Sequence, residues 1–202
     1  PLIPALLRAY AATPASNSLR TEVAEQISLL GDWDLRWGVE SVSTSLAVYW
    51  ATEMMGRVRD DARSAGISSA DYIAGPASPS QHLEALAAAS ATLEGDFGQW
   101  RTPWGEINRF QRLTGDIVQP FNDDRPSSPV GFTSSRWGSL ASFGARTYPG
   151  TVKMYGTSGN SFVAVVEFGD RVSARAVTAG GESGDPASPH FNDQTERYAT
   201  GD

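Results

Sequence analysis

The spacing of apolar residues along this chain changes near residue 100. Before that point the apolar residues recur every three or four positions, which is typical of amphipathic helices. A first helix is predicted from Ser18, a suitable N-cap, to Gly31, a suitable stop. Its apolar face consists of Leu19, Val23, Ile27 and Leu30.

Two further helices follow in this first half. One is predicted over residues 43–65, with Gly66 ending it and a stripe formed by Leu46, Tyr49, Trp50, Met54 and Val58. The other opens at Ser78, where Pro79 suits the first helical position and Gln81 the capping-box position. His82 lies in the first turn and off the apolar stripe, so an exposed side chain is expected.

Helical spacing disappears after residue 100, and short β segments are predicted over residues 151–155, 161–168 and 171–178. The last two are joined at Gly169-Asp170, which favours a hairpin. Segment 161–168 is apolar on both faces, so its strand is expected to be buried on both sides. Val165→Asp is therefore expected to unfold or aggregate the chain. Residues 119–136 are interpreted as a surface loop, and residues 156–159 as a turn.

Composition excludes several classes of partner. The 202 residues carry a net charge of −7, with 16 Lys and Arg against 23 Asp and Glu, and no basic cluster, so nucleic acid is not expected to bind. No apolar run approaches the ~20 residues that span a bilayer. Cysteine is absent, which excludes disulfides and thiol chemistry.

A metal site is not predicted. The two histidines, His82 and His190, are far apart in sequence, which makes a histidine cluster improbable. The acidic runs at residues 122–124 and 192–193 could offer oxygen ligands to calcium, but they lack the spacing of a calcium loop. Turn chemistry is the favoured interpretation of both, and no cofactor is predicted.

Glu167 is the one carboxylate in the apolar strand 161–168. An unpartnered buried carboxylate would cost several kcal/mol. It is therefore expected either to reach solvent at the strand end or to form an ion pair with Arg171 or Arg175.

Two tryptophans, Trp100 and Trp104, open a segment with interleaved arginines. They could line an apolar acyl pocket. The alternative is a structural aromatic cluster in which Arg109 or Arg112 pairs with Glu106.

A catalytic triad is not predicted in the loop that holds Ser188, His190 and Asp193, since three residues of one proline-rich loop cannot easily adopt its geometry. This loop is interpreted as packing or as part of a pocket wall.

Two segments together resemble the end of the β subunit of the penicillin acylase family. They are the run Gly156-Thr-Ser-Gly-Asn-Ser-Phe-Val-Ala-Val-Val-Glu-Phe-Gly169 and the run Gly184-Asp-Pro-Ala-Ser-Pro-His-Phe-Asn-Asp-Gln194. The Trp104-Gly-Glu106 segment, followed by Asn108-Arg109, is similar to a stretch that follows the helical region in that family. The family includes penicillin, cephalosporin, aculeacin A and acyl-homoserine lactone acylases.

The resemblance implies an α+β fold that is part of a four-layer α/β/β/α N-terminal nucleophile hydrolase sandwich. Residues 1–98 would be the helical region and residues 99–202 the mainly β region with antiparallel sheets and long loops. Together they would form part of one larger acylase domain. A periplasmic or secreted location is also implied.

The same resemblance implies hydrolysis of a linear amide in an acylated amine: a β-lactam, a lipopeptide or an acyl-homoserine lactone. Members use an N-terminal serine, which Pro1 cannot replace, so the chain is expected to be separated from its nucleophile and inactive alone. Its expected partner is the missing N-terminal part of the acylase, meaning the α subunit and the start of the β subunit. Self-association of the chain is the alternative expectation.

Resemblance also suggests roles for three residues. Glu167 corresponds by context to a glutamate that orients a histidine near the nucleophile in cephalosporin acylases. Trp100 and Trp104 are candidate substrate-binding residues. The alternative function is a non-catalytic binding or scaffold domain that binds carbohydrate through its tryptophans.

Overall fold

The computed structural model describes residues 1–200 and divides the chain into two compact units. The first unit comprises Pro1–Arg36 and Val42–Thr102. The second comprises the short segment Trp37–Ser41 and the chain from Pro103 onward.

The first unit is helical. Its elements are α1 (Leu2–Ala12), α2 (Ser18–Glu22), α3 (Ala24–Gly31), α4 (Val42–Arg57), α5 (Arg59–Ser64), α6 (Ser69–Ala74) and α7 (Pro79–Phe97). The longest helices, α4 and α7, pack on each other and bury Trp50, Met54, Leu83 and Leu86. Burial of these large apolar side chains supplies most of the stabilisation that short helices lack by themselves.

The start of α7 confirms the capping box read from the sequence. Ser78 Oγ accepts from the Gln81 backbone N–H at 3.3 Å, and Gln81 Oε1 accepts from the Ser78 N–H at 2.8 Å. The helix ends at Gly98, whose φ of +79° suits a residue without a side chain.

The two earlier helices are each interrupted where the sequence predicted continuity. Val23 separates α2 from α3, and Val58 separates α4 from α5. Asn17, not Ser18, caps α2 by accepting from the Leu19 N–H at 2.9 Å. Both interrupting valines are fully buried, so tertiary packing fixes these bends.

The expectation that His82 is exposed was wrong. Its side chain is only 2% exposed, and its ring stacks on Trp50 with centroids 5.8 Å apart. His82 is off the main apolar stripe, but Trp50 of α4 covers its ring on this flank of the helix.

The second unit contains α8 (Trp104–Ile107), β1 (Asn108–Phe110), β2 (Ser128–Pro129), a 3₁₀ turn (Ser135–Trp137), β3 (Phe143–Arg146), β4 (Met154–Gly159), β5 (Phe162–Glu167), β6 (Ser173–Thr178) and α9 (Thr195–Thr200). One sheet has the order β2-β1-β4-β3, in which β1 and β4 run parallel and the other pairs are antiparallel. A separate two-stranded sheet is formed by β5 and β6.

These elements confirm the α+β class, with a helical first half and mainly antiparallel pairing in the second. The four-layer sandwich, and the assignment of both regions to one larger acylase domain, stay predictions.

The predicted hairpin is confirmed, but the predicted burial of its first strand was wrong. β5 and β6 pair in register from Phe162↔Thr178 to Glu167↔Ser173. Val165 is nevertheless 71% exposed, because within residues 1–200 only Val163 and Val177 of this hairpin pack against the core cluster.

Two segments that the sequence predicted as a loop and a turn contain regular structure. Segment 119–136 contains β2 and two buried core residues, Val130 and Phe132, so only part of it is a surface loop. Residues 156–159 belong to strand β4 and are not a turn. Both segments are ordered by partners distant in sequence, which local composition does not reveal.

The core of the second unit is aromatic. Val130, Phe132, Phe143, Tyr198 and Ala199 are buried together, with Phe110 packed against them. Phe132 contacts both Phe143 and Tyr198 edge-on, at centroid distances of 5.9 and 5.5 Å. Such contacts stabilise each pair by about 0.5–1.5 kcal/mol beyond simple burial.

Candidate functional site

A groove in the second unit is the candidate functional site. Its volume is about 970 Å³, within the range of small-molecule sites. One wall is the β5–β6 hairpin, and the other is formed by Trp37, Phe132 and α9.

The hairpin wall changes from apolar to charged along its length. Paired residues share a face, so Val163 with Val177, Val165 with Arg175, and Glu167 with Ser173 form three successive rows. Successive rows on one face are about 7 Å apart. The first row packs on the aromatic core, whereas the last is exposed at the hairpin end.

The opposite wall is aromatic and carries one cation. Trp37, 44% exposed, contacts the Phe132 ring edge-on at 5.8 Å. Tyr198 is buried, and its hydroxyl donates to the Asn160 carbonyl at 2.7 Å. Burial raises the pKa of Tyr198 to about 12, so the phenol stays neutral. Arg197, next to it on α9, is exposed.

Glu167 lies at the charged end of this groove and is exposed. Its carboxylate accepts one long hydrogen bond from Ser173 Oγ at 3.4 Å. Within residues 1–200 it forms no ion pair with Arg171 or Arg175, so of the two structural alternatives the solvent-facing one holds. Its histidine-orienting role stays a prediction.

The two candidate tryptophans fall in different units. Trp100 belongs to the first unit, is half-buried, and has the Arg101 guanidinium 4.3 Å from its ring centroid. Trp104 belongs to the second unit and is only 3% exposed, with its indole N–H unpartnered. Neither lines the groove.

Within the described residues 1–200, neither Arg109 nor Arg112 forms an ion pair with Glu106. Arg109 donates instead to the Gly105 carbonyl at 2.7 Å and to Ser127 Oγ at 2.9 Å. Burial of Arg109 lowers the pKa of its guanidinium, but arginine remains charged in proteins.

Arg112 holds the loop near the C-terminus in place. Its guanidinium donates to the Phe191 carbonyl at 2.6 Å and to the Ser183 carbonyl at 2.8 Å, and it lies 4.1 Å from the Phe191 ring centroid. This clamp orders the loop that leads into α9, and α9 forms part of the groove wall.

The residues of that loop do not assemble a triad. His190 Nδ1 lies 2.8 Å from Asp193 Oδ2, whereas Ser188 Oγ accepts from the His190 backbone N–H at 3.2 Å. The serine hydroxyl is thus used in a local turn, consistent with a packing role for the loop.

The acidic run 122–124 makes structural contacts. Asn122 Oδ1 accepts from the Asp124 N–H at 2.7 Å, a turn of the kind expected. Asp123 accepts from the Tyr155 hydroxyl at 2.8 Å and from the Val152 N–H at 2.7 Å. Across residues 1–200 no cluster of three metal-ligating side chains is present, and no helix is both long and apolar enough to cross a membrane.

The chain matches a known protein family over nearly its whole length. The family model described as penicillin amidase matches residues 2–202. This chain belongs to the penicillin amidase family. No curated protein matches it significantly. Membership indicates an acylase-type hydrolase of amide bonds.

The sequence alone pointed to only some of the residues that line the groove of this penicillin amidase family member. It singled out Glu167 and Arg175 but missed Trp37, Arg197 and Tyr198. Trp37 comes from a five-residue segment that joins the second unit far from its sequence neighbours there. No local pattern signals that insertion.

Proposed function

We propose that this chain is the C-terminal part of an acylase that hydrolyses the linear amide of an acylated amine, with its nucleophile supplied by another part of the same enzyme. Family membership over residues 2–202 carries this proposal. The exposed hairpin adds support, since a strand that is apolar on both faces is normally covered on both sides.

In the proposed enzyme Glu167 orients a histidine that assists the nucleophile. Its carboxylate is accessible, and its single long hydrogen bond from Ser173 leaves acceptor sites for an imidazole N–H. A carboxylate in this position would hold the histidine tautomer and stabilise the positive charge that develops during proton transfer.

The acylated amine would be a β-lactam, a lipopeptide or an acyl-homoserine lactone. Trp100 and Trp104 are candidates for contact with the acyl group. Since Trp104 is buried, it could contact substrate only after its neighbours move, whereas one face of Trp100 is occupied by Arg101.

The deciding experiment measures hydrolysis of a series of N-acyl-4-nitroanilides. The chain alone should be inactive, and co-expression with the segment encoded upstream in its reading frame should give turnover. Turnover by the chain alone, abolished by replacing one internal serine, would contradict the separation from the nucleophile. Saccharide binding without amide hydrolysis by the co-expressed complex would favour the scaffold alternative.

Glu167→Gln tests the site within the active complex. Turnover should fall by at least about tenfold, because the amide can no longer hold the histidine as the carboxylate does. The melting temperature should stay nearly unchanged, because substitution of an exposed side chain costs little stability. Glu182→Gln is the matched control, as Glu182 is an exposed glutamate outside the groove. Equal turnover in both variants would remove Glu167 from the site.

A further inference from the structure

The β5–β6 hairpin depends on a small base for its orientation. Its two strands form a sheet of their own. Val163 and Val177, next to the base, pack against the aromatic core, whereas most of the other hairpin side chains are exposed. Contacts at the base therefore decide the direction in which the hairpin projects.

Two side chains in and just before α9 hold that base, one on each strand. The Tyr198 hydroxyl donates to the Asn160 carbonyl at 2.7 Å, at the entry to β5. Gln194 Oε1 accepts from the Thr178 backbone N–H at 2.9 Å, at the end of β6. The Gln194 backbone N–H also donates to the Gly180 carbonyl at 2.8 Å. The start of α9 is therefore bonded to both strands of the hairpin.

These two side chains lie on one helical face. Tyr198 is four positions after Gln194, and its backbone N–H donates to the Gln194 carbonyl at 2.9 Å, which is the hydrogen bond of a helical turn. Residues four positions apart are neighbours on a helix surface. The helix therefore presents the hydroxyl and the amide to the hairpin together.

The carbonyl that Tyr198 contacts is itself anchored to the four-stranded sheet. The Asn160 N–H donates to the carbonyl of Ser142, the residue before β3, at 2.8 Å, and Asn160 Oδ1 accepts from the Ser142 N–H at 2.7 Å. Gly159 permits this approach, because a Cβ there would collide with the Ser142 carbonyl oxygen. The base of the hairpin is thus joined to the sheet as well as to α9.

Glu167 lies at the far end of β5 from this base. Since β5 spans Phe162–Glu167, the carboxylate residue is about 17 Å from the first residue of the strand. A tilt of about 10° at the base would move Glu167 by about 3 Å over that length. Misplacement of a catalytic group by about 1 Å can cost on the order of a hundredfold in rate. Small changes at the base are therefore amplified at Glu167.

We propose that Gln194 and Tyr198 are positioning residues that form a clasp at the base of the hairpin and set its direction. The effect on turnover rests on the proposed function: in the active enzyme the clasp sets the place of Glu167, and so of the histidine that Glu167 orients. The clasp itself is measured in the chain alone.

A distance measurement between two spin labels tests the clasp. The chain has no cysteine, so labels can be attached only to cysteines introduced at Asp170, in the hairpin turn, and at Arg136, on the 3₁₀ turn, both exposed. The labelled chain should give one narrow distance distribution. Gln194→Leu with Tyr198→Phe should at least about double its width, because the hairpin then pivots about its base. Tyr198→Phe alone, whose ring stays in the aromatic core, should broaden it less.

Two further variants separate the clasp from a general loss of stability. Gln194→Glu keeps an acceptor for the Thr178 N–H and should keep the narrow distribution. Tyr148→Phe removes a hydroxyl that donates to Thr157 on β4, elsewhere in the same unit, and should also keep it. An unchanged distribution in the doubly substituted chain, or equal broadening in either of these two variants, would overturn the clasp.

Turnover by the active complex tests the link to Glu167. Gln194→Leu with Tyr198→Phe should lower kcat by at least about tenfold, but by less than about twofold when Glu167→Gln is already present, because both changes act through one carboxylate. Unchanged kcat, or a full tenfold loss on top of Glu167→Gln, would contradict the positioning role. An inactive wild-type complex would refute the proposed function, whereas the distance measurement would still decide the clasp.

Discussion

At the scale of single residues, Gly156 allows the aromatic core of the second unit to pack, because glycine has no side chain. The Phe143 ring lies directly over Gly156 on the neighbouring strand, where a Cβ would collide with three ring atoms. Phe143 is itself buried among Phe110, Phe132 and Tyr198, so the ring has little room to move.

Gly156→Ala should therefore destabilise the second unit by about 1–3 kcal/mol, the usual cost of overpacking. Thermal melting followed by circular dichroism measures the effect. Gly56→Ala is the control, because Gly56 lies inside α4 with open space around it and should be neutral or slightly stabilising. Equal melting temperatures for the two variants would contradict the contact.

His82 should make the stability of the first unit depend on pH. Burial lowers the pKa of His82, the nearby Arg8 charge acts in the same direction, and a hydrogen bond with the Ile73 backbone opposes them. The Nδ1 atom is buried without a partner. The ring is therefore neutral in the folded state at neutral pH.

The free energy of unfolding should fall as the pH drops below about 6.5, where the unfolded histidine takes up a proton, and this contribution should level off below the lowered pKa of the folded state. Urea unfolding followed by intrinsic tryptophan fluorescence, at pH 7.5 and 5.5, measures this loss. His82→Phe should lose less stability between the two pH values than the wild type. Identical losses would exclude His82 as the cause.

At the scale of secondary-structure elements, exposure of the hairpin reverses an expectation drawn from its sequence. The pattern of β5 predicts that Val165→Asp would unfold or aggregate the chain, yet the structure places Val165 at the surface. A charge that remains hydrated carries little desolvation cost.

Val165→Asp should therefore leave the chain soluble and cooperatively folded, within about 1 kcal/mol of the wild type. Phe132→Ala, which removes a buried ring from the core of the same unit, should cost about 3–5 kcal/mol. Chemical denaturation of both variants checks the contrast. Unfolding of Val165→Asp would show that the strand is buried in solution.

At the scale of the whole molecule, the hairpin face turned away from the groove is an apolar surface. Phe162, Val166 and the adjoining Phe168 are all exposed. Exposed apolar faces beside unpaired strand edges commonly associate with other chains. In the proposed enzyme the remainder of the acylase would cover this face.

The chain by itself should therefore self-associate with increasing concentration. Replacing Phe162, Val166 and Phe168 together by serine should reduce the mass measured by light scattering toward that of one chain. Ile117→Ser with Val118→Ser, which alters an exposed apolar pair elsewhere, should leave association unchanged. A wild-type chain that stays monomeric at high concentration would refute this prediction.

The sequence alone determined the features that depend on near neighbours. The capping box at Ser78, the helical first half and the β5–β6 hairpin were predicted because capping, helical spacing and a short turn involve residues close in the chain. The family resemblance was also carried by continuous segments, and the family model confirms it.

Tertiary structure decided what depends on contacts between distant residues. The burial of His82, the parallel pairing of β1 with β4 and the entry of Trp37 into the groove wall have no local signal. The exposure of Val165 is the clearest case: alternation along a strand shows that both faces are apolar, but only the packed structure shows whether anything covers them.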